Sequence, residues 1–220
     1  MATKAYIFDL DGTLVDTLGS ISYFANRALE HFGFQAIEKE KYRYMVGKGA
    51  KNLVSQMLLA NGSEREEDFA KVYPYYNDSY DREPIYLATP YPGIPELLTQ
   101  LKAEGIKLAV LSNKPHSTTR QIVTALFGED CFDVVYGQRE GIPLKPDPAA
   151  LAGIMAELSV AAEECVYVGD TATDMKTGKN AGAFTVGVLW GFRDEPELKA
   201  ENPEAIVQTA DALLQFVHRG

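Results

Sequence analysis

Five short apolar runs along the chain constrain the fold more than any other feature of the sequence. Each is nearly continuous in Val, Ile, Leu, Phe and Tyr, which is typical of strands buried on both faces of a parallel sheet. The predicted strands are Ala5–Leu10, Lys107–Ser112, Asp133–Tyr136, Cys165–Gly169 and Phe184–Leu189. Segments with helical spacing lie between or after them, at Ile94–Glu104, Ser117–Phe127, Pro148–Leu158, Asp174–Ala181 and near Pro203–Val217. This alternation predicts a doubly wound, five-stranded parallel α/β sheet of the Rossmann-like kind.

One connection breaks the alternation, because the first strand ends near Leu10 and the second begins only near Lys107. Most of this gap has helical patterns, which predict the helices Leu18–Phe32, Lys39–Met45, Ala50–Asn61 and Arg65–Tyr80. We therefore expect an α/β core of residues 1–15 and 86–220 and a helical cap of residues 16–85, with hinges at Thr13–Thr17 and Pro84–Pro92. Such a cap would cover the crevice at the carboxyl ends of the strands, where open α/β sheets bind ligands.

Composition narrows the classes of partner. The chain of 220 residues has a formal net charge of −10 and no basic run, which disfavours binding to nucleic acid or to an anionic membrane. No apolar stretch reaches the roughly 18 to 20 residues of a membrane span, so we expect a cytoplasmic protein. We expect the protein to be a monomer or a homodimer. Cys131 and Cys165 border apolar runs and are expected to be core thiols. The same net charge would repel an anionic substrate, so binding one would require a cation and a few placed lysines.

Two pairs of acidic residues follow predicted strands. Asp9 and Asp11 lie in the sequence DLDGT after the first strand, and Asp170 and Asp174 lie in GDTATD after the fourth. Either pair alone has an ordinary explanation, as an acidic turn or as a helix cap formed by Thr173 or Asp174. Carboxylates at the ends of two parallel strands would share one crevice, and their repulsion favours a bound divalent cation. An all-oxygen ligand set predicts Mg²⁺.

Two further segments fall at the same edge of the predicted sheet. Ser112, Asn113 and Lys114 end the second strand and precede a helix, so a hydroxyl and backbone amides are available to phosphate oxygens. Lys145 lies in the sequence LKPDP, where the prolines stiffen the loop. Such a loop can hold an ammonium group in the crevice, but taken alone Lys145 is more often a solvated loop residue, and only the order of all four motifs favours the crevice. Lys114 is as consistent with a solvated turn as with support of a phosphate.

The order of these motifs resembles the haloacid dehalogenase superfamily of phosphohydrolases. That order is DxDGT, a serine at a strand end, a lysine, and then GDxxxD, with a helical insertion after the first strand. Within the superfamily the chain is similar to the phosphoglycolate phosphatase group. The similarity to that group lies in the segments VGKGA (46–50), YPG (91–93), NKP (113–115) and GVLWGF (187–192).

The resemblance implies a role for each motif residue. Asp9 would be the nucleophile, and Asp11 would protonate the leaving oxygen and then activate water. Ser112 and Lys145 complete the predicted catalytic set. The predicted Mg²⁺ ligands are Asp9, the backbone carbonyl of Asp11, Asp170, and Asp174 either directly or through water. The predicted substrate-binding residues are Thr13, Lys48, Ser112, Asn113 and Lys145.

The expected reaction is Mg²⁺-dependent hydrolysis of a small phosphate monoester, with 2-phosphoglycolate as the leading substrate. Lys48, between two glycines at the start of a cap helix, is the predicted selector of an anionic leaving group, and the alternative is a plain interhelical turn with an exposed lysine. A mutase similar to beta-phosphoglucomutase is the main alternative, since such enzymes also keep DxD, and a pyrophosphatase or other small-phosphate phosphatase of the same fold is another. A non-enzymatic binding protein fits less well, because every motif position carries a chemically competent residue.

The remaining polar and aromatic residues are predicted to be structural. His31, His116 and His218 have no ligand spacing, and only His116 falls near the crevice. The cap tyrosines are expected to pack rather than to line a site: Tyr73, Tyr75, Tyr76 and Tyr80. Trp190 and Phe192, which follow the fifth strand, are at least as consistent with aromatic packing as with bordering the crevice.

Overall fold

A six-stranded parallel sheet forms the centre of the molecule in a computed structural model, which describes residues 2–218. In chain order its strands are β1 (Ala5–Phe8), β4 (Lys107–Pro115), β5 (Val134–Gln138), β6 (Cys165–Gly169), β7 (Phe184–Val188) and β8 (Ala205–Val207). They lie side by side in the order β5-β4-β1-β6-β7-β8. The first strand is therefore central, between β4 and β6. The predicted doubly wound α/β class is confirmed.

Both faces of the sheet are buried, which explains why its strands are continuously apolar. In β1, Tyr6 and Phe8 enter one core cluster while Ala5 and Ile7 enter the cluster on the opposite face. This is the two-residue alternation of side chains along a strand. The covering helices are α4 (Ile94–Ala103), α5 (His116–Phe127), α6 (Ala149–Leu158), α7 (Ala172–Ala181) and α8 (Glu195–Ala200).

The carboxyl-terminal segment corrects the sequence prediction. The helix expected at Pro203–Val217 is instead strand β8 followed by a 3₁₀ helix, Asp211–Phe216. In β8, Ala205 pairs with Val186 and Val207 with Val188 of β7. Ile206 and Val207 are β-branched and favour extended backbone, and the free edge of β7 supplies hydrogen-bond partners that periodicity does not reveal. The sheet therefore has six strands rather than five, and α8 was not predicted.

Helices fill the long connection after β1. They are α1 (Leu18–His31), a 3₁₀ helix at Lys39–Tyr44, α2 (Gly49–Ala60) and α3 (Glu66–Arg82). We call this segment the cap. Its own core is built from residues such as Phe24, Leu29, Met57, Val72 and Tyr76. The second of the four predicted cap helices, Lys39–Met45, forms as a 3₁₀ helix instead of an α-helix.

A two-stranded antiparallel ribbon joins the cap to the sheet. It pairs β2 (Val15–Asp16) with β3 (Thr89–Pro90), within the two predicted hinge segments. The cysteines are not linked by a disulfide, and the Cys165 thiol donates to the carbonyl of Ala161. Across residues 2–218, no helix combines the length and apolar character that crossing a bilayer requires.

Candidate active site

The carboxyl ends of three adjacent strands bring the motif residues together. Asp9 follows β1, and its backbone N–H donates to the carbonyl of Val168 in β6 at 2.9 Å. Ser112 belongs to the end of β4, and Asp170 follows β6 directly. Because β1 lies between β4 and β6, segments distant in sequence meet at one edge of the sheet.

A buried lysine links two of the carboxylates. The Nζ of Lys145 lies 2.8 Å from Oδ1 of Asp9 and 2.7 Å from Oδ1 of Asp174, and it donates to the carbonyl of Leu111 at 3.2 Å. Burial disfavours the ammonium form, but Asp174 and Asp9 together raise the pKa of Lys145 well above its ordinary value. Lys145 is therefore a fixed positive charge beside Asp9.

Asp9, Asp170 and Asp174 form a compact acidic cluster. All three are buried, and one carboxylate oxygen from each lies within 4.8 Å of the others. Burial raises the pKa of Asp9 well above its ordinary value, Lys145 opposes this rise, and Asp174 and Asp170 add to it. Burial, with a contribution from Asp174, raises the pKa of Asp170 to about 7. The three carboxylates repel one another, and a divalent cation bound by their oxygen atoms would relieve that repulsion.

Two hydrogen bonds and the close approach of Gly12 fix the orientation of the Asp170 side chain. Its Oδ2 accepts from the N–H of Phe192 at 2.7 Å, and its Oδ1 accepts from the hydroxyl of Thr13 at 3.2 Å. Gly12 has a φ of +90°, and a Cβ at that position would lie 2.3 Å from Oδ2 of Asp170. Glycine is therefore required at position 12 for both its conformation and its close approach to the carboxylate.

Asp174 takes part in a helix cap and contacts Lys145 with the same side chain. Thr171, rather than Thr173 or Asp174, is the N-cap of α7, and it forms a capping box with Asp174. Oδ2 of Asp174 accepts from the backbone N–H of Thr171 at 3.1 Å and from its hydroxyl at 2.6 Å. Oδ1 faces Lys145 and also accepts from the hydroxyl of Tyr167 at 3.2 Å. Helix capping thus orients Asp174 toward Lys145.

Asp11 faces the same cleft as Asp9 but has different partners. Its Oδ1 accepts from the hydroxyl of Thr17 at 2.7 Å, and its Oδ2 lies 3.4 Å from Nζ of Lys114. The Nζ of Lys114 also donates to the hydroxyl of Tyr80, from the cap, at 3.1 Å. Asp11 and Lys114 therefore connect the core to the cap.

The cap closes the cleft above these residues. Its wall is mainly apolar and aromatic, and it includes Ile21, Val46, Ala50, Leu53, Tyr76 and Tyr80. The amide of Asn113 donates to the carbonyl of Gly47 in the cap at 2.9 Å, and a Cβ on Gly49, which has a φ of +83°, would lie 3.3 Å from the carbonyl of Asn113. The remaining cavity has a volume of about 50 Å³, enough for a few water molecules.

A family model described as haloacid dehalogenase-like hydrolase matches residues 6–188, which include both acidic pairs and Lys145. The chain belongs to this family. Membership confirms the family predicted from the motifs and the predicted enzyme class, a phosphoric monoester hydrolase.

Similar hydrolases are found among curated sequences and solved structures. A phosphoglycolate phosphatase of Vibrio parahaemolyticus is 31% identical over 218 residues, covering 97% of this chain and 96% of that protein. A phosphoglycolate phosphatase of Rhodospirillum rubrum is 35% identical over 199 residues, covering 88% and 82%. The crystal structure of a protein from Lactobacillus delbrueckii subsp. bulgaricus superposes with a TM-score of 0.92 at 30% identity, over 100% of both chains.

The predicted site residues fall into three groups in this hydrolase. Five line the cleft: Asp9, Asp11, Ser112, Asn113 and Lys145. Asp170 and Asp174 are buried and form the acidic cluster with Asp9. Thr13 is buried against Asp170, and Lys48 is exposed at the N-cap of α2; neither is among the residues that line the cleft. Substrate-binding roles for Thr13 and Lys48 stay predictions.

Sequence reasoning underrated three residues that face the cleft. Lys114 is buried beside Asp11, and Tyr76 and Tyr80 contribute both to the cap core and to the cleft wall. The tyrosines repeat at helical spacing, and that pattern does not separate packing from lining. His116 is not among the lining residues, and its Nδ1 accepts from the N–H of Gly137.

Proposed function

We propose that this hydrolase cleaves small phosphate monoesters with Mg²⁺, through an aspartyl phosphate formed on Asp9. One observation carries the proposal. A buried ammonium group, that of Lys145, lies 2.8 Å from the carboxylate of Asp9 in a closed cleft that also contains Asp11. A nucleophile, a fixed positive charge and a second carboxylic acid are the parts that phosphoryl transfer to a carboxylate needs.

In the first half of the proposed reaction, a carboxylate oxygen of Asp9 attacks phosphorus and the bond from phosphorus to the ester oxygen breaks. Asp11 gives its proton to the leaving oxygen. Asp11 then accepts a proton from water, the water oxygen attacks phosphorus, and phosphate leaves Asp9. The ammonium of Lys145, the hydroxyl of Ser112 and the backbone amide of Asn113 would stabilise the phosphoryl oxygens.

The donor set fits Mg²⁺. Asp9, Asp170 and the backbone carbonyl of Asp11 would hold it, and when bound the ion would offset the negative charges that otherwise keep a carboxylate from attacking a phosphate ester. Asp174 already accepts four hydrogen bonds from protein donors, two on each oxygen, whereas Asp170 accepts two. This supports contact between Asp174 and the ion through a water molecule.

2-Phosphoglycolate is the proposed substrate. The curated relatives are named phosphoglycolate phosphatases, and the closed cavity of about 50 Å³ suits a compact leaving group. The cap lies over this cavity, so its opening would admit the ester and its closure would exclude water during attack.

The test is release of phosphate by the purified protein from 2-phosphoglycolate, para-nitrophenyl phosphate, pyrophosphate and hexose phosphates. We expect turnover that is lost on chelation and restored by Mg²⁺, with the highest kcat/KM for 2-phosphoglycolate. Ca²⁺ should inhibit, because it takes more oxygen ligands at longer distances and would occupy the attacking oxygen of Asp9. Conversion of a hexose phosphate to its isomer with little phosphate release would indicate the mutase instead.

A further inference from the structure

Lys114 is a buried cation that the proposed reaction does not use. Its side chain is only 6% exposed. Its Nζ lies 3.4 Å from Oδ2 of Asp11, donates to the hydroxyl of Tyr80 at 3.1 Å, and lies 4.2 Å from the centre of the Tyr80 ring. Lys145, in contrast, is surrounded by Asp9, Asp174 and the carbonyl of Leu111. The two lysines therefore serve different ends of the cleft.

The surroundings of Lys114 do not compensate its charge fully. Burying an ammonium group is costly unless it is paired and hydrogen-bonded. Its one carboxylate partner among residues 2–218, Asp11, also accepts a hydrogen bond from Thr17, and an ammonium has three N–H donors. The nearby cap wall is apolar, with Ile21 and Leu53. A buried charge facing such a wall has room for an anionic partner supplied by the substrate.

The position of Asp11 sets where that partner would lie. If Asp11 protonates the leaving oxygen, that oxygen lies within about 2.6–3.2 Å of its carboxyl group. The Nζ of Lys114 lies 3.4 Å from the same carboxyl group. An anionic group one carbon beyond the ester oxygen therefore falls within reach of Lys114. The exposed Lys48 lies outside the cleft lining and has no such relation to Asp11.

We propose that Lys114 determines the leaving-group specificity by binding a carboxylate attached to the carbon that bears the ester oxygen. This inference rests on the proposed phosphatase function and names its substrate class, the phosphate esters of short 2-hydroxy carboxylates. Tyr80 holds the ammonium group in place from the cap side, so the carboxylate binds where core and cap meet. The selecting charge comes from the core, two residues after Ser112.

Two esters of the same carbon skeleton test the inference: 2-phosphoglycolate, and ethyl phosphate, which has a methyl group in place of the carboxylate. With Mg²⁺, we expect wild-type kcat/KM to be about 100-fold higher for 2-phosphoglycolate than for ethyl phosphate. A difference of this size is typical when a binding site is formed to pair with a charged group and the substrate lacks it. Lys114→Met should lower kcat/KM for 2-phosphoglycolate by about 100-fold and for ethyl phosphate by less than about 5-fold. Lys114→Arg should retain part of the preference. Lys51→Met, at an exposed position on α2, is the matched control and should change neither value.

Several results would overturn the inference. Equal losses on both esters would mean that Lys114 acts only through Asp11. Wild-type turnover of both esters without a preference would exclude a binding site for the substrate carboxylate, and the phosphatase proposal would still stand. No turnover even of para-nitrophenyl phosphate would overturn the phosphatase proposal itself. If Lys114→Met does not give a folded protein, as judged by circular dichroism, Lys114→Gln makes the same comparison with the same expected ratio.

Discussion

The two walls of the cleft differ in the chemical character of their side chains. The core wall is charged and tightly bonded: Lys145 contacts two carboxylates at 2.7 and 2.8 Å, and Asp170 accepts from both Phe192 and Thr13. The cap wall is mainly apolar and aromatic. The core wall is suited to holding a phosphoryl group and its charge, whereas the cap wall encloses whatever is attached to it. Under the proposed function, the reacting groups would lie on the core wall and the cap wall would enclose the leaving group.

Lys114 is the exception to this division, and it shows how the walls are coupled. It belongs to the core by sequence, but it contacts the cap through Tyr80. Asn113, its neighbour, also bonds to the cap through Gly47 and to the core through the backbone of Lys145. Closing the cap therefore sets the geometry of the same segment that contains Ser112. Changes to Asn113, which bonds to both walls, should therefore alter the reaction rate on every ester.

The largest effect is expected on the core wall, from Asp9→Asn. The amide keeps the shape of the carboxylate but lacks its charge and its nucleophilicity, so kcat should fall by roughly 10³-fold or more on every ester. Steady-state phosphate release from 2-phosphoglycolate and para-nitrophenyl phosphate measures this. Near-normal turnover of either ester by the variant would exclude Asp9 as the nucleophile.

An intermediate effect is expected where the walls meet, from Asn113→Ala. The change removes the hydrogen bonds to the carbonyl of Gly47 and to the backbone of Lys145, each worth about 0.5–1.5 kcal/mol. We expect kcat/KM to fall by about 10- to 100-fold for esters with charged leaving groups and for esters with uncharged ones alike.

Asn113→Asp is the matched variant, because it keeps the acceptor for the N–H of Lys145 but loses the donor to the carbonyls of Gly47 and Lys145. A loss in the alanine variant confined to 2-phosphoglycolate would show that Asn113 binds the leaving group instead of joining the walls.

The smallest effect is expected at Lys48, which is exposed and outside the cleft lining in the closed structure. Exposed charges contribute little, so Lys48→Ala should lower kcat/KM for 2-phosphoglycolate by less than about 3-fold. A 10-fold or greater loss confined to that substrate, with para-nitrophenyl phosphate unaffected, would support Lys48 as the selector predicted from sequence. It would also place the selecting charge on the cap.

The core wall was easier to predict from sequence than the cap wall, for a physical reason. A strand end fixes the direction of the residues that follow it, so Asp9 and Asp170 could be placed in one crevice from apolar runs alone. The role of Lys145, in a loop, depended on the family resemblance. The contact between Lys114 and Tyr80 joins residues 34 positions apart in two separately packed units, and no local pattern encodes it.

The carboxyl-terminal segment shows the same limit within the core. Ala205–Val207 forms a strand because the edge of β7 lies beside it, and a partner strand is a property of the folded sheet rather than of a three-residue sequence. The cap helices were predictable from the spacing of their apolar residues. The tyrosines that also face the cleft were not, because Tyr76 and Tyr80 pack in the cap core and line the cleft at the same time.

The central claim, a phosphoryl group carried on Asp9, is tested most directly by trapping it. Asp11→Asn with ³²P-labelled para-nitrophenyl phosphate suits the experiment, because this leaving group needs little protonation while hydrolysis of the intermediate still needs a base. After rapid acid quenching, we predict label on the protein in amounts approaching one per enzyme molecule, and borohydride reduction of the labelled peptide should convert residue 9 to homoserine. Release of labelled phosphate with no labelled protein, or label on a residue other than Asp9, would contradict the account.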